Sequence, residues 1–232
     1  MPITTVGLDA DDTLWHNETL FRLTQDRFLD LLTDHDTEAV RARLAEVERR
    51  NLRLYGYGVK GFTLSMIETA MEMCDGEPPA GAIREILAAG REMLAHPVET
   101  LPGVDEALAR LSERYRLVLV TKGDLLDQER KLAASGLGEL FAAVEIVSEK
   151  DRTTYDRVFA RHGTGAAEAV MAGNSMKSDV LPALEAGAFA VHIPYAITWA
   201  HELADAPQDH PRYGALDRID DLPDWIDRRS DG

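Results

Sequence analysis

The sequence predicts a doubly wound parallel α/β protein with a helical segment inserted after its first strand, and three observations carry that expectation. From Leu101 onward, short apolar runs such as LVLVT and EAVMA alternate with amphipathic helical patterns, the rhythm of right-handed crossovers and a parallel sheet covered on both faces. From Asn17 to about His96 the pattern is helical without a convincing strand. The first apolar run, Thr4 to Leu8, ends in DADDT, Asp9 to Thr13, where three carboxylates in five residues repel one another and give an ordinary strand nothing.

Each element follows from its pattern. Thr4 to Leu8 reads as a buried strand. The helical block holds four helices, with apolar stripes at Val40, Leu44 and Val47, then Phe62, Met66, Ala70 and Met73, then Ile83, Leu87, Gly90 and Leu94. YGYGVKGF, Tyr55 to Phe62, breaks the periodicity with three glycines and reads as a loop joining two helical hairpins. The alternation then gives a helix over 104–114, a strand over 117–121, a helix over 126–135 and a strand near 144–147. A further round places a helix around 155–161, a strand over 169–172, a helix over 179–186 and a strand over 188–193. The tail from about Ala204 reads as loop ending in one short helix near 222–228. There is no internal repeat or low-complexity segment.

Composition narrows the function classes. With 232 residues, 45% of them hydrophobic, the chain supports one sizeable core or a core plus a smaller module. Its 41 acidic against 25 basic residues give a formal charge of -16, which argues against nucleic acid or an anionic membrane surface as main partner. Cys74 is the single cysteine, so an intramolecular disulfide or a cysteine-rich zinc site is ruled out, and its helical setting reads as packing. The N-terminus enters the first strand without a signal-like region, and no apolar run approaches the roughly 18 residues of a membrane span. The expected address is the cytoplasm. GxSxG, HExxH and GxxxxGK are absent, which counts against a serine hydrolase, a zinc peptidase and a nucleotide-cradling loop.

In an open parallel sheet, ligands sit at the carboxyl ends of the strands, where strand order reverses. Those ends supply Asp9, Asp11, Asp12 and Thr13; Thr121 and Lys122; Lys150; and Asn174, Ser175 and Asp179. Carboxylates, a hydroxyl and an ammonium group gathered there suit a hard divalent cation and a phosphoryl group.

These strand ends resemble the haloacid dehalogenase superfamily. DADDT matches its first motif, Thr121 in LVLVTKGD the second, Lys150 in SEKDRTTY the third, and AGNSMKSD with Asp179 the fourth. The resemblance runs from about residue 3 to 200 and rests on the order and spacing of all four motifs. It implies a Rossmann-like catalytic core over 1–15 and 97–232, with residues 16–96 as a class 1 helical cap that closes over the active site. It further implies a Mg²⁺-dependent phosphatase acting on a small phosphorylated metabolite. Asp9 would be the nucleophile, forming an aspartyl-phosphate, and Asp11 the general acid and then base. Mg²⁺ would be held by Asp9, the Asp11 backbone carbonyl and Asp179, and Thr121 and Lys150 would bind and balance the phosphoryl charge.

The chain departs from the commonest family pattern at two points. Asn174 stands where many relatives have an acidic residue, leaving an amide that can hold a metal-bound water. Lys150 lacks the proline that often follows, and Arg152 is the fallback for its charge. Alternatives within the superfamily are a 2-haloacid dehalogenase, disfavoured by Asp11, and a phosphotransferase or mutase; from another class, a non-catalytic binding relative. Simpler structural roles suit several neighbours: Asp12 as a cap of the turn into Leu14, Lys177 as the opening of the helix that carries Asp179, and Tyr195, Trp199 and His201 as packing. Lys60 is a candidate for a distal anionic group of the substrate and equally a solvated lysine. The oligomeric state is not readable from the sequence.

Overall fold

A computed structural model describes residues 2–197, 199 and 202–230. Two units emerge: Met1–Glu18, Val98–Lys122 and Gln128–Gly232 form one, and Thr19–Pro97 with Gly123–Asp127 the other.

In the first unit, six parallel strands among the described residues form one sheet in the order β3-β2-β1-β4-β5-β6. They are β1 (Thr5–Leu8), β2 (Arg116–Lys122), β3 (Ala143–Val147), β4 (Ala169–Gly173), β5 (Phe189–His192) and β6 (Tyr213–Ala215). β1 lies between β2 and β4, so the order reverses at the strand carrying the acidic cluster, the place where a doubly wound sheet opens a crevice. Central strands such as TVGL and AVMAG are buried along their whole length, as a sheet covered on both faces requires. One face packs Leu8, Leu119, Val170 and Val191 against α5 (Val104–Ser112) and α9 (Leu222–Ser230). The other packs Val118, Val120 and Met171 against Tyr155, Val158 and Phe159 of α7 (Arg152–His162).

The structure corrects the tail. Residues beyond Ala204 contain β6 as well as a helix, and β6 pairs in register with β5, Ala190 opposite Tyr213. YGA is too short to show alternation, and the strand is held partly from outside itself. Arg212 Nη1 donates to Gly187 O and Ala167 O at 2.8 and 3.0 Å, and its guanidinium lies over the Phe189 ring.

The second unit holds α1 (Glu18–Leu29), α2 (Thr37–Tyr55), α3 (Val59–Met73) and α4 (Ala82–Ala95) around Phe28, Leu44, Phe62, Met66 and Ile86. The expected glycine-rich loop shrinks to three residues between α2 and α3, because α3 starts at Val59 and Gly61 lies inside it against Gly56 O. The expected stripe on α4 is one position out: Ala82, Ile86, Ala89, Gly90 and Met93 are buried, while Leu87 is exposed. Apolar side chains on adjacent positions give two overlapping stripes, and packing decides between them. Among the described residues no helix is long and apolar enough to cross a membrane.

Candidate active site

After β1 the chain turns at once. Thr13 and Leu14 N–H groups donate to Ala10 O, and the Asp12 N–H donates to Trp15 O at 2.8 Å. Asp12 sits at φ 61°, a left-handed conformation that aspartate tolerates better than most residues. This turn sends the three carboxylates of DADDT to three different partners.

Asp12 takes backbone donors. Its carboxylate accepts the Asn17 and Glu18 N–H groups at 2.9 and 3.0 Å, so it caps the start of α1, not the turn into Leu14. Burial nonetheless raises its carboxyl to about 8 against those two amides.

Asp9 takes Lys150, whose Nζ donates to Asp9 Oδ1 and, at 2.7 Å, to Asp179 Oδ1. All three residues are 6% exposed or less. Burial and the Asp179 charge push the Asp9 carboxyl up to about 7 against the ammonium. Burial also works against the Lys150 charge, but the two carboxylates outweigh it and hold the ammonium protonated. Thr13 Oγ1 donates to Asp9 Oδ2 at 3.1 Å and accepts the Asn174 N–H at 3.0 Å, which ties β1 to the loop after β4.

Asp179 stands in a turn of π-helix, Met176–Val180, a form that recurs at functional sites. Its N–H donates to Ser175 O and its Oδ2 accepts the Ser175 N–H, both at 2.9 Å. Gly173 lies under it, and a Cβ there would overlap the Asp179 carboxylate. Beneath the same turn, the Tyr155 hydroxyl donates to Ser178 O at 2.9 Å, its pKa driven well above the ordinary range by burial and the nearby carboxylates.

Asp11 takes a third set. Lys131 Nζ and Trp15 Nε1 donate to its Oδ1 at 2.6 and 2.7 Å, and Gln128 Nε2 donates to Oδ2 at 3.2 Å. The same Gln128 nitrogen reaches Thr121 Oγ1 at 2.7 Å, so one buried amide joins the ends of β1 and β2. The Thr121 proton goes to Lys122 O at 3.3 Å.

The structure thus brings Asp9, Lys150 and Asp179 into direct contact, with Thr13 and Asn174 beside them, and joins Asp11 to Thr121 through Gln128. Arg152 is not needed as the fallback charge, since it is exposed and faces Asp156 at 3.6 Å. Lys60 pairs with Asp124 at 2.9 Å within the helical unit. Tyr195 meets His16 Nδ1 at 2.6 Å, Trp199 is half-buried and Lys177 exposed, and His201 lies outside the described residues. The sequence reading missed Trp15, Gln128 and Lys131. Their available signal was spacing: Gln128 and Lys131 stand three apart on α6 (Leu125–Ser135), the helix that follows the Thr121 strand.

As a metal site, this arrangement offers hard oxygen donors. Among the described residues no three His, Cys, Asp or Glu side chains form a ready metal-binding group. Two buried carboxylates, Asp9 and Asp179, share a single ammonium, however, and burial together with the Asp179 charge raises the Asp9 carboxyl. Such a pair fits Mg²⁺, which takes one or two carboxylates and keeps several waters.

The family model of haloacid dehalogenase-like hydrolases matches residues 3–187. No curated protein matches the chain. Among solved structures, a haloacid dehalogenase-like family hydrolase from Xanthomonas campestris is 41% identical, with a TM-score of 0.88 over 99% of this chain and 94% of that one. The HAD hydrolase YfnB from Bacillus subtilis, bound to magnesium, shares 15% identity at a TM-score of 0.68 over 97% of this chain and 99% of its own. An L-2-haloacid dehalogenase from Xanthobacter autotrophicus with chloropropionic acid covalently bound shares 14% at 0.65, over 97% and 98%. The last two likenesses speak for the fold.

Proposed function

The chain belongs to the haloacid dehalogenase-like hydrolases, and from that premise we propose that it is a Mg²⁺-dependent phosphatase of small phosphomonoesters, acting in the cytoplasm. The observation that supports this reading is the pair of carboxylates two residues apart at the end of β1, each in its own environment. Asp9 is buried against a protonated lysine, and Asp11 is held by donors from Trp15, Gln128 and Lys131. Two carboxylates set apart in this way suit two roles, nucleophile and acid/base.

Asp9 and Asp179, with the Asp11 backbone carbonyl, would hold Mg²⁺, and Asn174 would hold a bound water. When bound, the ion would supply charge compensation to the phosphoryl oxygens. The remaining work falls to side chains. Lys150 opposes the burial that favours the neutral Asp9 carboxyl and holds it in place, so that an Asp9 carboxylate oxygen can attack phosphorus while the P–O bond to the alcohol breaks. Asp11 in its acid form delivers the proton to the leaving alkoxide and, as carboxylate, takes one from the water that opens the aspartyl-phosphate. Thr121 already accepts from Gln128, and its proton can turn from the long contact with Lys122 O to a phosphoryl oxygen.

Hydrolysis of p-nitrophenyl phosphate with added Mg²⁺ by the wild type and by Asp9→Asn tests the reading. Activity in the first and loss of at least about four orders of magnitude in the second is the expected result. Equal rates in both, or a wild type inactive on phosphate esters that releases chloride from 2-chloropropionate, would overturn it.

A further inference from the structure

Beside the site lies a second polar cluster that the proposed reaction does not use. Glu202 follows β5 by ten residues, and its N–H donates to Trp199 O at 2.9 Å. Its carboxylate accepts Lys122 Nζ at 2.7 Å, and both the Ser175 and Ser178 hydroxyls donate to it.

Counting protons shows that this cluster has one arrangement. Ser175 Oγ accepts the Ser178 N–H at 2.9 Å, so its own proton goes to Glu202. Ser178 Oγ accepts from Lys122 Nζ at 2.9 Å, so its proton goes to Glu202 as well. The carboxylate is therefore the common acceptor of an ammonium and two oriented hydroxyls, an anion-binding set of three donors filled by the chain's own side chain.

Topology gives the cluster its consequence. Lys122 ends β2, while Ser175 and Ser178 bracket the loop and turn after β4. These strands flank β1 on its two sides, so Glu202 clamps together the neighbours of the strand that leads into Asp9. Ser175 is also the residue whose N–H and carbonyl both bond Asp179. A free Ser175 hydroxyl could turn, and with it the loop that aims Asp179.

We propose that Glu202 is a positioning residue for Asp179, its carboxylate filling an anion site built by Lys122, Ser175 and Ser178, and that a small carboxylate from solution can replace it when the side chain is removed. The part of this that concerns Mg²⁺ rests on the phosphatase reading, while the anion site stands on its own geometry. A mere tether for the segment after β5 would affect stability and leave metal affinity untouched.

The test compares wild type, Glu202→Ala and Glu202→Gln. Calorimetric titration gives Mg²⁺ affinity, p-nitrophenyl phosphate hydrolysis gives kcat and KM, and melting in EDTA with and without formate reads the anion site directly. Glu202→Ala is expected to bind Mg²⁺ about 10- to 100-fold more weakly, with a matching fall in kcat. Formate should raise its melting temperature saturably and restore part of the Mg²⁺ affinity, with no such effect on wild type or on Lys122→Met/Glu202→Ala. Glu202→Gln, isosteric but neutral, should lie between and keeps the test open if the alanine variant does not fold. Unchanged Mg²⁺ affinity in both folded variants, or the absence of a formate effect in Glu202→Ala, would overturn the proposal. A wild type that neither binds Mg²⁺ nor cleaves the ester would instead count against the phosphatase reading, leaving the formate melting experiment to decide the anion site.

Discussion

Two charge networks in this molecule use the same residue types to opposite ends. On the helical unit, Arg50 meets Glu68 and Glu72 at 2.9 Å and Arg43 meets Glu46 and Glu72. These side chains keep roughly a third or more of their surface in water, 31% to 57%. At the strand ends of the other unit, Lys150 meets Asp9 and Asp179 with side chains 2%, 9% and 1% exposed. The solvated network exchanges water contacts for ion pairs at nearly equal free energy. The buried one cannot, because desolvated charges must be compensated by one another, and two carboxylates against one ammonium leave a deficit. Burial and imbalance together, more than the number of ion pairs, set the strand-end network apart and make it the candidate for chemistry.

The contrast breaks most visibly at Lys150. Lys150→Met leaves two buried carboxylates without their cation and is expected to lower stability by about 3–5 kcal/mol in EDTA, read by urea denaturation. Mg²⁺ should recover part of that loss. A midpoint in EDTA equal to wild type would show that the carboxylates are not forced together in the fold.

A smaller effect is expected from pH at Glu202. Burial works to raise its carboxyl, but the Lys122 ammonium, the Lys122 hydrogen bond and the two serine hydroxyls hold it down to about 2 from 4.5. A carboxyl with a depressed folded pKa stabilises the fold fully above its unfolded value and loses that contribution as pH falls toward the folded one. The stability gap between wild type and Glu202→Gln should therefore be constant above pH 4.5 and close by on the order of 2 to 3 kcal/mol between pH 4.5 and 2. A gap that does not change across this window would mean that Glu202 is not ionised in its cluster.

How far the sequence disclosed these networks follows from the distance over which each signal acts. Period-2 and period-3.6 patterns are local, so the first five strands and the major helices were legible, and the motif residues Asp9, Thr121, Lys150 and Asp179 could be placed at strand ends. The face of α4 was not, since Ile83 and Leu87 stand beside Ile86 and Met93 and local periodicity cannot rank them. β6 has three residues and owes its place to β5 and to Arg212. Lys131 lies 120 positions from Asp11, and Glu202 lies 80 from Lys122, separations at which pairing exists in the folded chain and leaves no local trace. Asp12 was legible as a cap, but its target was missed because the turn after Asp9 reverses the chain before α1 begins.

The smallest expected effects separate packing from charge. Gly173→Ala adds one methyl group where it would overlap the Asp179 side chain from its carboxylate back to its Cβ, in the π-helical turn. Overpacking of this kind costs about 1–3 kcal/mol, and calorimetry should show weakened Mg²⁺ binding with it, because the carboxylate must move for the methyl to fit. Arg50→Gln removes a charge with two partners on the helical unit and should leave the urea midpoint where it was. Its guanidinium stays half in water, so the fold loses an interaction that solvent replaces, and Glu72 keeps Arg43 as a partner. Were Arg50→Gln to destabilise the protein as much as Lys150→Met, counting ion pairs would describe this molecule better than burial does. A flat response beside a large one would place the difference between the two networks in desolvation.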